Sequence, residues 1–316
     1  MKSIIKGAAA LFGVSAAVSA GSSAYFYRRT MKRNNAKTER TIKMSGVDWQ
    51  QYYPRMKEIK DWMMAQPHED VWITSHDGLK LHGTYFKGQE TRKAVICFHG
   101  YTSEGLADYG MFSKYYLENG FSMLIIDERA HGQSEGEYIG FGCMDRLDGE
   151  RWIDWLIKKA GEDISIVLHG NSMGGATVLM MSGLDLPEQV KGIVSDCAFT
   201  SPKYVFTHVL HSMYHLPAFP IIPIADKMNK KKAGYGLDEC NAAREVKKAK
   251  VPILFIHGSA DVFVPCEMCH EVYENCASEK TKLIVEGAGH VESYLKETAL
   301  YEEALDRFFE ENLKEK

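Results

Sequence analysis

A single stretch of the sequence combines a buried strand, a tight turn and a helix: Ile164-Ser165-Ile166-Val167-Leu168-His169-Gly170-Asn171-Ser172-Met173-Gly174-Gly175-Ala176. The aliphatic run at 164–168 is typical of a buried strand, and residues 173–181 favour a helix. The pattern Gly-x-Ser-x-Gly lies between them, where glycines let the chain close a strained strand-to-helix turn. The amino end of the following helix favours negative charge at the serine. We therefore predict that Ser172 is a nucleophile and not an incidental serine in a glycine-rich turn.

Short apolar runs around this stretch alternate with segments of helix length, which indicates a mainly parallel sheet covered by helices on both faces. The predicted strands are residues 94–98, 122–126, 164–168, 192–195, 253–256 and 283–285. Before them, two alternating runs at 70–74 and 79–86 meet at Asp77-Gly78, a pattern typical of a β-hairpin. Residues 201–250 are too long for a simple crossover, so we predict a small, partly helical cap there.

A serine hydroxyl needs a base to remove its proton before it attacks a substrate. Among the twelve histidines, His290 has the expected position, after the last predicted strand and before the terminal helix. The acid that orients the base is expected between the serine and the histidine in chain order. Asp261, close after the strand at 253–256, is the preferred acid, and Asp196, after an earlier strand, is the alternative.

Attack on a carbonyl also requires two preset N–H donors for the oxyanion that forms. The backbone N–H of Met173, directly after the nucleophile, is the first predicted donor. The second is expected in the loop His99-Gly100-Tyr101-Thr102, which follows the strand at 94–98, and we predict the backbone N–H of Tyr101. We interpret His99 itself as a structural support of that loop.

Five motifs, taken in order, resemble those of the α/β-hydrolase superfamily from about residue 70 to the end of the chain. They are His99-Gly100-Tyr101, Asp127-Glu128-Arg129-Ala130-His131-Gly132-Gln133-Ser134, residues 170–175, His257-Gly258-Ser259-Ala260-Asp261 and Gly289-His290. The chain is most similar to a bacterial branch of small-capped, often membrane-anchored hydrolases akin to cinnamoyl esterases and prolyl-oligopeptidase-like domains. This resemblance implies an α/β-hydrolase fold with about eight strands and a site at their carboxyl ends. It implies the triad Ser172, Asp261 and His290, with Tyr101 and Met173 as the oxyanion hole, and a structural role for residues 127–134.

These residues predict a serine hydrolase that cleaves carboxylic esters of small molecules through an acyl-enzyme on Ser172, with no metal or organic cofactor. One alternative is an amidase or peptidase acting on small peptides, and another is a non-catalytic scaffold tethered to a membrane. The stretch Cys266-Glu267-Met268-Cys269-His270 matches a haem-attachment pattern, but we interpret it as a helix after the acid loop.

The amino-terminal segment differs from the rest of a chain whose composition is globular and whose net charge of -4 argues against a nucleic-acid partner. No charged residue occurs between Lys6 and Arg28. We predict a membrane anchor at 1–27, a linker and lead-in helix at 28–69 and the catalytic domain at 70–316. The basic cluster after residue 27 and the lack of an even disulfide framework among seven cysteines favour a cytoplasmic catalytic domain. Cleavage as a signal peptide, with secretion, is the alternative.

Overall fold

The computed structural model of the chain describes residues 21–33, 45–90 and 92–313. Its strands are β1 (His68–Thr74), β2 (Lys80–Phe86), β3 (Lys93–Phe98), β4 (Ser122–Ile126), β5 (Ser165–Asn171), β6 (Val190–Asp196), β7 (Ile253–Gly258) and β8 (Lys280–Val285). They form one sheet in the order β1-β2-β4-β3-β5-β6-β7-β8. Strand β2 is antiparallel to β1 and β4, and all other neighbours are parallel. The predicted eight-stranded, mainly parallel sheet is confirmed.

Two apolar layers enclose the sheet because successive side chains of a strand point to opposite faces. In β3, Ala94 and Ile96 belong to one core cluster, whereas Val95 and Cys97 belong to the other. Strand β5 lies between β3 and β6 and is buried on both faces, which explains why Ile166, Val167 and Leu168 are all apolar. The residue after β5 is Ser172, which therefore lies at the carboxyl edge of the sheet's centre.

Helices cover both faces of the sheet. They are α1 (residues 21–31), α2 (Tyr53–Met64), α3 (Gly105–Tyr109), α4 (Ser113–Glu118), α5 (Asp145–Ala160), α6 (Met173–Met181), α7 (Pro202–Tyr214), α8 (Ala218–Lys232), α9 (Ala242–Glu245), α10 (Cys266–Asn275), α11 (Ser293–Lys296) and α12 (Thr298–Asn312). Every residue of α6 is buried, so this helix shows no polar stripe. The predicted helix at 266–270 is confirmed as the start of α10.

Helices α7 and α8 form the small helical cap that the sequence predicts, inserted between β6 and β7. Pro202 occupies the first turn of α7, and the Ser201 side chain accepts a hydrogen bond from the Tyr204 N–H, so the helix begins with both common start signals. Helix α9, which lies inside the predicted cap range, packs on α6 and belongs to the layer that covers the sheet.

Helix α1 packs on the folded domain, although the sequence predicts residues 1–27 as a membrane anchor. Tyr27 and Met31 are almost fully buried, and the Arg33 guanidinium donates hydrogen bonds to the carbonyls of Gly132 and Ser134. Among the residues that the structure describes, no helix is long and apolar enough to cross a membrane. Residues 1–20 of the predicted anchor lie outside the described residues, and its described end contacts protein instead. The anchor prediction is therefore not supported.

Candidate active site

Ser172 occupies the turn that joins β5 to α6, and its backbone is strained. Its φ of 53° and ψ of -109° lie in a region that a non-glycine residue adopts only when the surrounding structure enforces it. The two glycines of the motif make the turn possible. A Cβ on Gly170 would lie 2.1 Å from the Gly174 carbonyl oxygen, and one on Gly174 would lie 1.9 Å from the Phe98 carbonyl oxygen. Both contacts are far too short, so only glycine fits these two positions.

The structure brings the three predicted triad residues together, although they are far apart in the sequence. The Ser172 hydroxyl lies 2.8 Å from Nε2 of His290, and Nδ1 of His290 lies 2.7 Å from Oδ2 of Asp261. Because the ionised carboxylate only accepts, Nδ1 donates to Asp261, which leaves Nε2 free to accept the serine proton. All three residues are less than a tenth exposed. This arrangement is that of a nucleophile, a base and an orienting acid.

Asp261 is held as a carboxylate by the groups around it. Its Oδ1 accepts hydrogen bonds from the backbone N–H groups of Phe263 and Val264, at 2.9 and 2.8 Å. Nε2 of His257 lies 3.4 Å from Oδ2. Burial by itself would raise the pKa of Asp261, but the neighbouring His290 and His257 outweigh it and hold that pKa well below its usual value. The carboxyl is therefore charged at neutral pH.

The alternative acid, Asp196, makes different contacts. Its backbone carbonyl accepts the Ser172 N–H at 2.8 Å, and its side chain accepts a hydrogen bond from the Tyr301 hydroxyl at 3.1 Å. The other carboxyl oxygen has no hydrogen-bond partner. Burial raises the pKa of Asp196 to about 6, although His257 and Tyr301 act in the opposite direction. No hydrogen bond joins this side chain to His290, so the geometry favours Asp261 as the orienting acid.

The two predicted oxyanion donors both lie beside the nucleophile. Met173 is the first residue of α6, and Tyr101 follows β3 in a turn that lines the same cavity as Ser172. Within the described part of the chain, neither backbone N–H donates a hydrogen bond to another residue. The neighbouring Gly100 and Thr102 N–H groups do have acceptors, Asp108 and His131. Two N–H groups without acceptors near the nucleophile are what an oxyanion hole requires.

The loop that carries Tyr101 is fixed by side chains that do not reach the nucleophile. Nδ1 of His99 donates to the Gly100 carbonyl at 2.7 Å, and its Nε2 accepts the Glu128 N–H at 3.0 Å. His99 therefore supports the loop, as predicted. In the following 127–134 loop, Asp127 accepts hydrogen bonds from the N–H groups of Gly105 and Gln133, which is a structural arrangement.

Two cavities meet at Ser172. The larger, which we call the cap cavity, has a volume of about 430 Å³ and lies beneath α7 and beside α1. The smaller, the α2 cavity, has a volume of about 280 Å³ and is lined by residues around α2, such as Trp49 and Met56. His290 lines the α2 cavity, whereas Ser172 and Tyr101 line both. A substrate can therefore extend in two directions from the serine.

Two groups of side chains in the described residues have the donor atoms of a metal site. Cys197, Asp261 and His290 form the first, and His76, Asp77 and Asp148 form the second. In the first group, the Asp261 and His290 atoms are occupied by the hydrogen bond between them. In the second, both carboxylates bind Arg129. Neither donor set is free to hold a cofactor metal without loss of these contacts.

Sequence reasoning missed two contributors to the site. Helix α1 lines the cap cavity with Tyr25 and Phe26, and the ring of Phe263 packs 5.0 Å from the ring of His290. An apolar face that is buried on a protein has the same composition as an apolar face that is buried in lipid, so no separate sequence signal distinguishes the position of α1. Phe263 lies two residues after Asp261, and that proximity is the one signal that points to it.

The fold can be compared with those of known proteins. Residues 89–232 match the family model described as serine aminopeptidase, S33. The Pyrococcus furiosus esterase Pf2001 superposes with a TM-score of 0.65 at 23% identity, over 79% of this chain and 93% of that one. An acetyl xylan esterase from Paenibacillus sp. R4 gives a TM-score of 0.60 at 19% identity, over 84% of this chain and 95% of that one. The chain has the α/β-hydrolase fold, and these similarities support an α/β-hydrolase.

Similar proteins, matched over most of their own length, are found in several bacteria. The uncharacterized protein YqkD of Bacillus subtilis (strain 168) is 29% identical over 238 residues, which are 75% of this chain and 78% of that protein. The uncharacterized protein YfhR of Salmonella typhimurium is 27% identical over 266 residues, which are 78% of this chain and 83% of that protein.

Proposed function

We propose that this protein is a serine hydrolase that cleaves carboxylic esters through an acyl-enzyme on Ser172. The observation that carries the proposal is the continuous hydrogen-bond chain from the Ser172 hydroxyl through His290 to Asp261, with distances of 2.8 and 2.7 Å. A histidine that accepts the serine proton and is held by an ionised carboxylate is the arrangement that activates a hydroxyl. The esterases among the structural neighbours agree with this assignment.

In the first half of the reaction, Ser172 Oγ attacks the ester carbonyl carbon while its proton moves to His290 Nε2. The carbonyl oxygen becomes an oxyanion, which the N–H groups of Tyr101 and Met173 bind. The tetrahedral intermediate then collapses, the bond to the alcohol oxygen breaks, and His290 returns its proton to that oxygen. Asp261 stabilises the charged imidazole during both proton transfers.

In the second half, a water molecule attacks the acyl-enzyme from the side that the alcohol has left. His290 accepts the water proton, the same two N–H groups bind the second oxyanion, and the Ser172–acyl bond breaks. The proton returns to Ser172 Oγ, and the carboxylic acid leaves. The enzyme is then in its starting state, and every step uses groups of this chain and water alone.

Removal of the nucleophile tests the proposal. In Ser172→Ala, hydrolysis of p-nitrophenyl butyrate should fall by roughly 10⁶-fold in kcat, as in other enzymes that use such a triad. The control is Ser182→Ala, which removes a buried hydroxyl just after the end of α6 that donates to the Leu179 carbonyl. The control should keep wild-type kcat. Wild-type activity in Ser172→Ala would contradict the proposal.

One observation favours a second candidate, cleavage of an amide at a peptide's amino end, because the matching family model is described as a serine aminopeptidase. Such an enzyme needs an acidic group to bind the substrate's ammonium. In the part of the chain that the structure describes, the cap cavity is lined by no acidic residue, whereas Glu104 and Asp108 line the α2 cavity. Parallel assays with p-nitrophenyl esters and aminoacyl p-nitroanilides distinguish the two activities. Faster turnover of the anilides would favour the peptidase.

A further inference from the structure

Helix α1 lies outside the region that matches the family model, and yet it is fixed to the domain beside the serine. Its end pairs with the 137–139 segment: the Ile139 N–H donates to the Met31 carbonyl at 2.9 Å, and the Arg33 N–H donates to the Glu137 carbonyl at 2.8 Å. Lys32 also forms an ion pair with Glu137 at 2.9 Å. These contacts hold the helix in one position.

From this position α1 closes one side of the cap cavity. Phe26 is buried, and its ring meets the ring of Phe206 on α7 edge to face, with 5.8 Å between their centres. Thr30 and Tyr25 line the same cavity. On the opposite side, Val209 lines it from α7. The amino-terminal helix and the cap thus share one apolar enclosure that opens onto Ser172.

The position of the base decides which part of an ester enters this enclosure. If Ser172 acts as proposed above, His290 must return its proton to the alcohol oxygen, so the alcohol lies on the histidine side of the scissile bond. His290 lines the α2 cavity and does not line the cap cavity. The alcohol therefore leaves through the α2 cavity, and the acyl group extends into the cap cavity.

We propose that α1 is part of the substrate site and that it selects esters with a large apolar acyl group. This inference rests on the proposed function and adds its substrate class. The cap cavity, at about 430 Å³, is far larger than an acetyl group needs and falls in the range of small-molecule sites. Its lining is mainly aromatic and aliphatic, and each methylene group buried there should raise kcat/KM by about fourfold.

The experiment measures kcat/KM of the full-length chain for p-nitrophenyl acetate and p-nitrophenyl octanoate and compares their ratio between variants. The wild-type ratio of octanoate to acetate should exceed about 10, the value reached when two of the six additional methylene groups are buried. Thr30→Trp fills the cavity from α1 and should lower that ratio by at least about tenfold, because an overfilled apolar site excludes the longer chain. Phe26→Ala removes a wall contact and should lower it about fivefold. Because the acyl group of acetate needs little of this cavity, acetate is the reference in each ratio, and a general loss of activity cancels.

Two further variants separate the role of the helix from other effects. Arg28→Trp adds the same side chain at an exposed α1 position that does not line the cavity, and it should keep the wild-type ratio. Val209→Trp fills the cavity from the cap and should lower the ratio as Thr30→Trp does. A lowered ratio in Val209→Trp together with a wild-type ratio in both Thr30→Trp and Phe26→Ala would overturn the role of α1. A wild-type ratio in all of these variants would overturn the acyl assignment of the cavity.

Labelling with a fluorophosphonate probe separates failure of this inference from failure of the proposed function. If the wild-type chain is labelled at Ser172 and cleaves the acetate, the serine is active and the ratios test α1 alone. If the chain is neither labelled nor active on either ester, the proposed function itself is wrong, and the inference falls with it.

Discussion

Two buried carboxylates near Ser172 differ in what faces them, and this difference supports different roles for them. Asp261 is hydrogen-bonded to His290 and to two backbone N–H groups, so its charge is stabilised. Asp196 faces the Tyr301 hydroxyl and has one oxygen without a partner, so burial dominates and raises the pKa of its side chain. Chain order makes both acids possible, and only the contacts in the folded protein distinguish them.

The first prediction concerns catalysis by this pair. Asp261→Asn should lower kcat for p-nitrophenyl butyrate by roughly 10⁴-fold, because the amide no longer holds His290 in the tautomer that accepts the serine proton. Asp196→Asn is the matched control, a buried acid changed in the same way, and its kcat should stay within about threefold of wild type. The reverse order of effects would make Asp196 the orienting acid.

The second prediction concerns stability and pH at Asp196. Its folded-state pKa of about 6 lies above the value of about 3.9 in an unfolded chain. The folded state therefore retains a proton that the unfolded state releases, and stability is lost as the pH rises from about 4 through 6. Urea unfolding should show that Asp196→Asn equals wild type near pH 4 and is more stable by about 2–3 kcal/mol near pH 8. A difference that does not change with pH would contradict this.

At the scale of elements, the turn between β5 and α6 depends on close approach of the backbone to β3. The Gly174 N–H donates to the His99 carbonyl at 3.1 Å, so the two loops that form the proposed oxyanion hole are joined directly. A side chain at Gly174 would separate them, since its Cβ would lie 1.9 Å from the Phe98 carbonyl oxygen.

The third prediction follows from this contact. Gly174→Ala should lower the free energy of unfolding by more than about 3 kcal/mol, the range of severe backbone and packing defects. Gly110→Ala is the control, because Gly110 has a helical φ of -51° and an added Cβ there makes only an ordinary contact with Lys60. Thermal unfolding should leave the control at or slightly above the wild-type Tm. Equal effects of the two substitutions would show that the turn does not depend on the absence of a side chain at Gly174.

Most of the elements were predictable because the central strands are buried on both faces. Strand β5 contains the apolar run 166–168, and the strand predicted at 164–168 overlaps it. Strand β8 lies at the sheet edge, where Lys282 faces solvent, so only the apolar residues at 283–285 were predicted and the strand begins at Lys280. The 201–250 range was predicted as cap throughout, but helix α9 packs on α6. Sequence alone does not show which neighbour buries an apolar helix face.

At the scale of the whole molecule, a buried ion pair connects the 127–134 loop to the helical layer and to the first hairpin. The Arg129 guanidinium donates to Asp148 on α5 at 2.6 and 2.8 Å and to Asp77 in the β1–β2 turn at 2.9 and 3.0 Å. The triad residues were predicted from motif and chain order. No sequence pattern pairs Arg129 with Asp77 and Asp148, which lie 52 and 19 residues away.

The fourth prediction tests this connection. Arg129→Met should lower the free energy of unfolding by about 3 kcal/mol, because Asp148 would remain buried with an uncompensated charge. The matched control is Arg307→Met, which breaks the exposed ion pair with Glu303 on α12 and should leave stability unchanged. Urea unfolding of both variants gives the comparison. Equal losses would show that burial of the Arg129 pair has no special effect.

The proposed mechanism requires Ser172 to be an activated nucleophile. The most direct measurement is labelling of the full-length protein with a fluorophosphonate, followed by mass spectrometry to locate the adduct. We expect one adduct, on Ser172, that forms in wild type and in Ser182→Ala and is absent from Ser172→Ala. An unlabelled wild-type protein, or an adduct on another residue that persists in Ser172→Ala, would contradict the proposed mechanism.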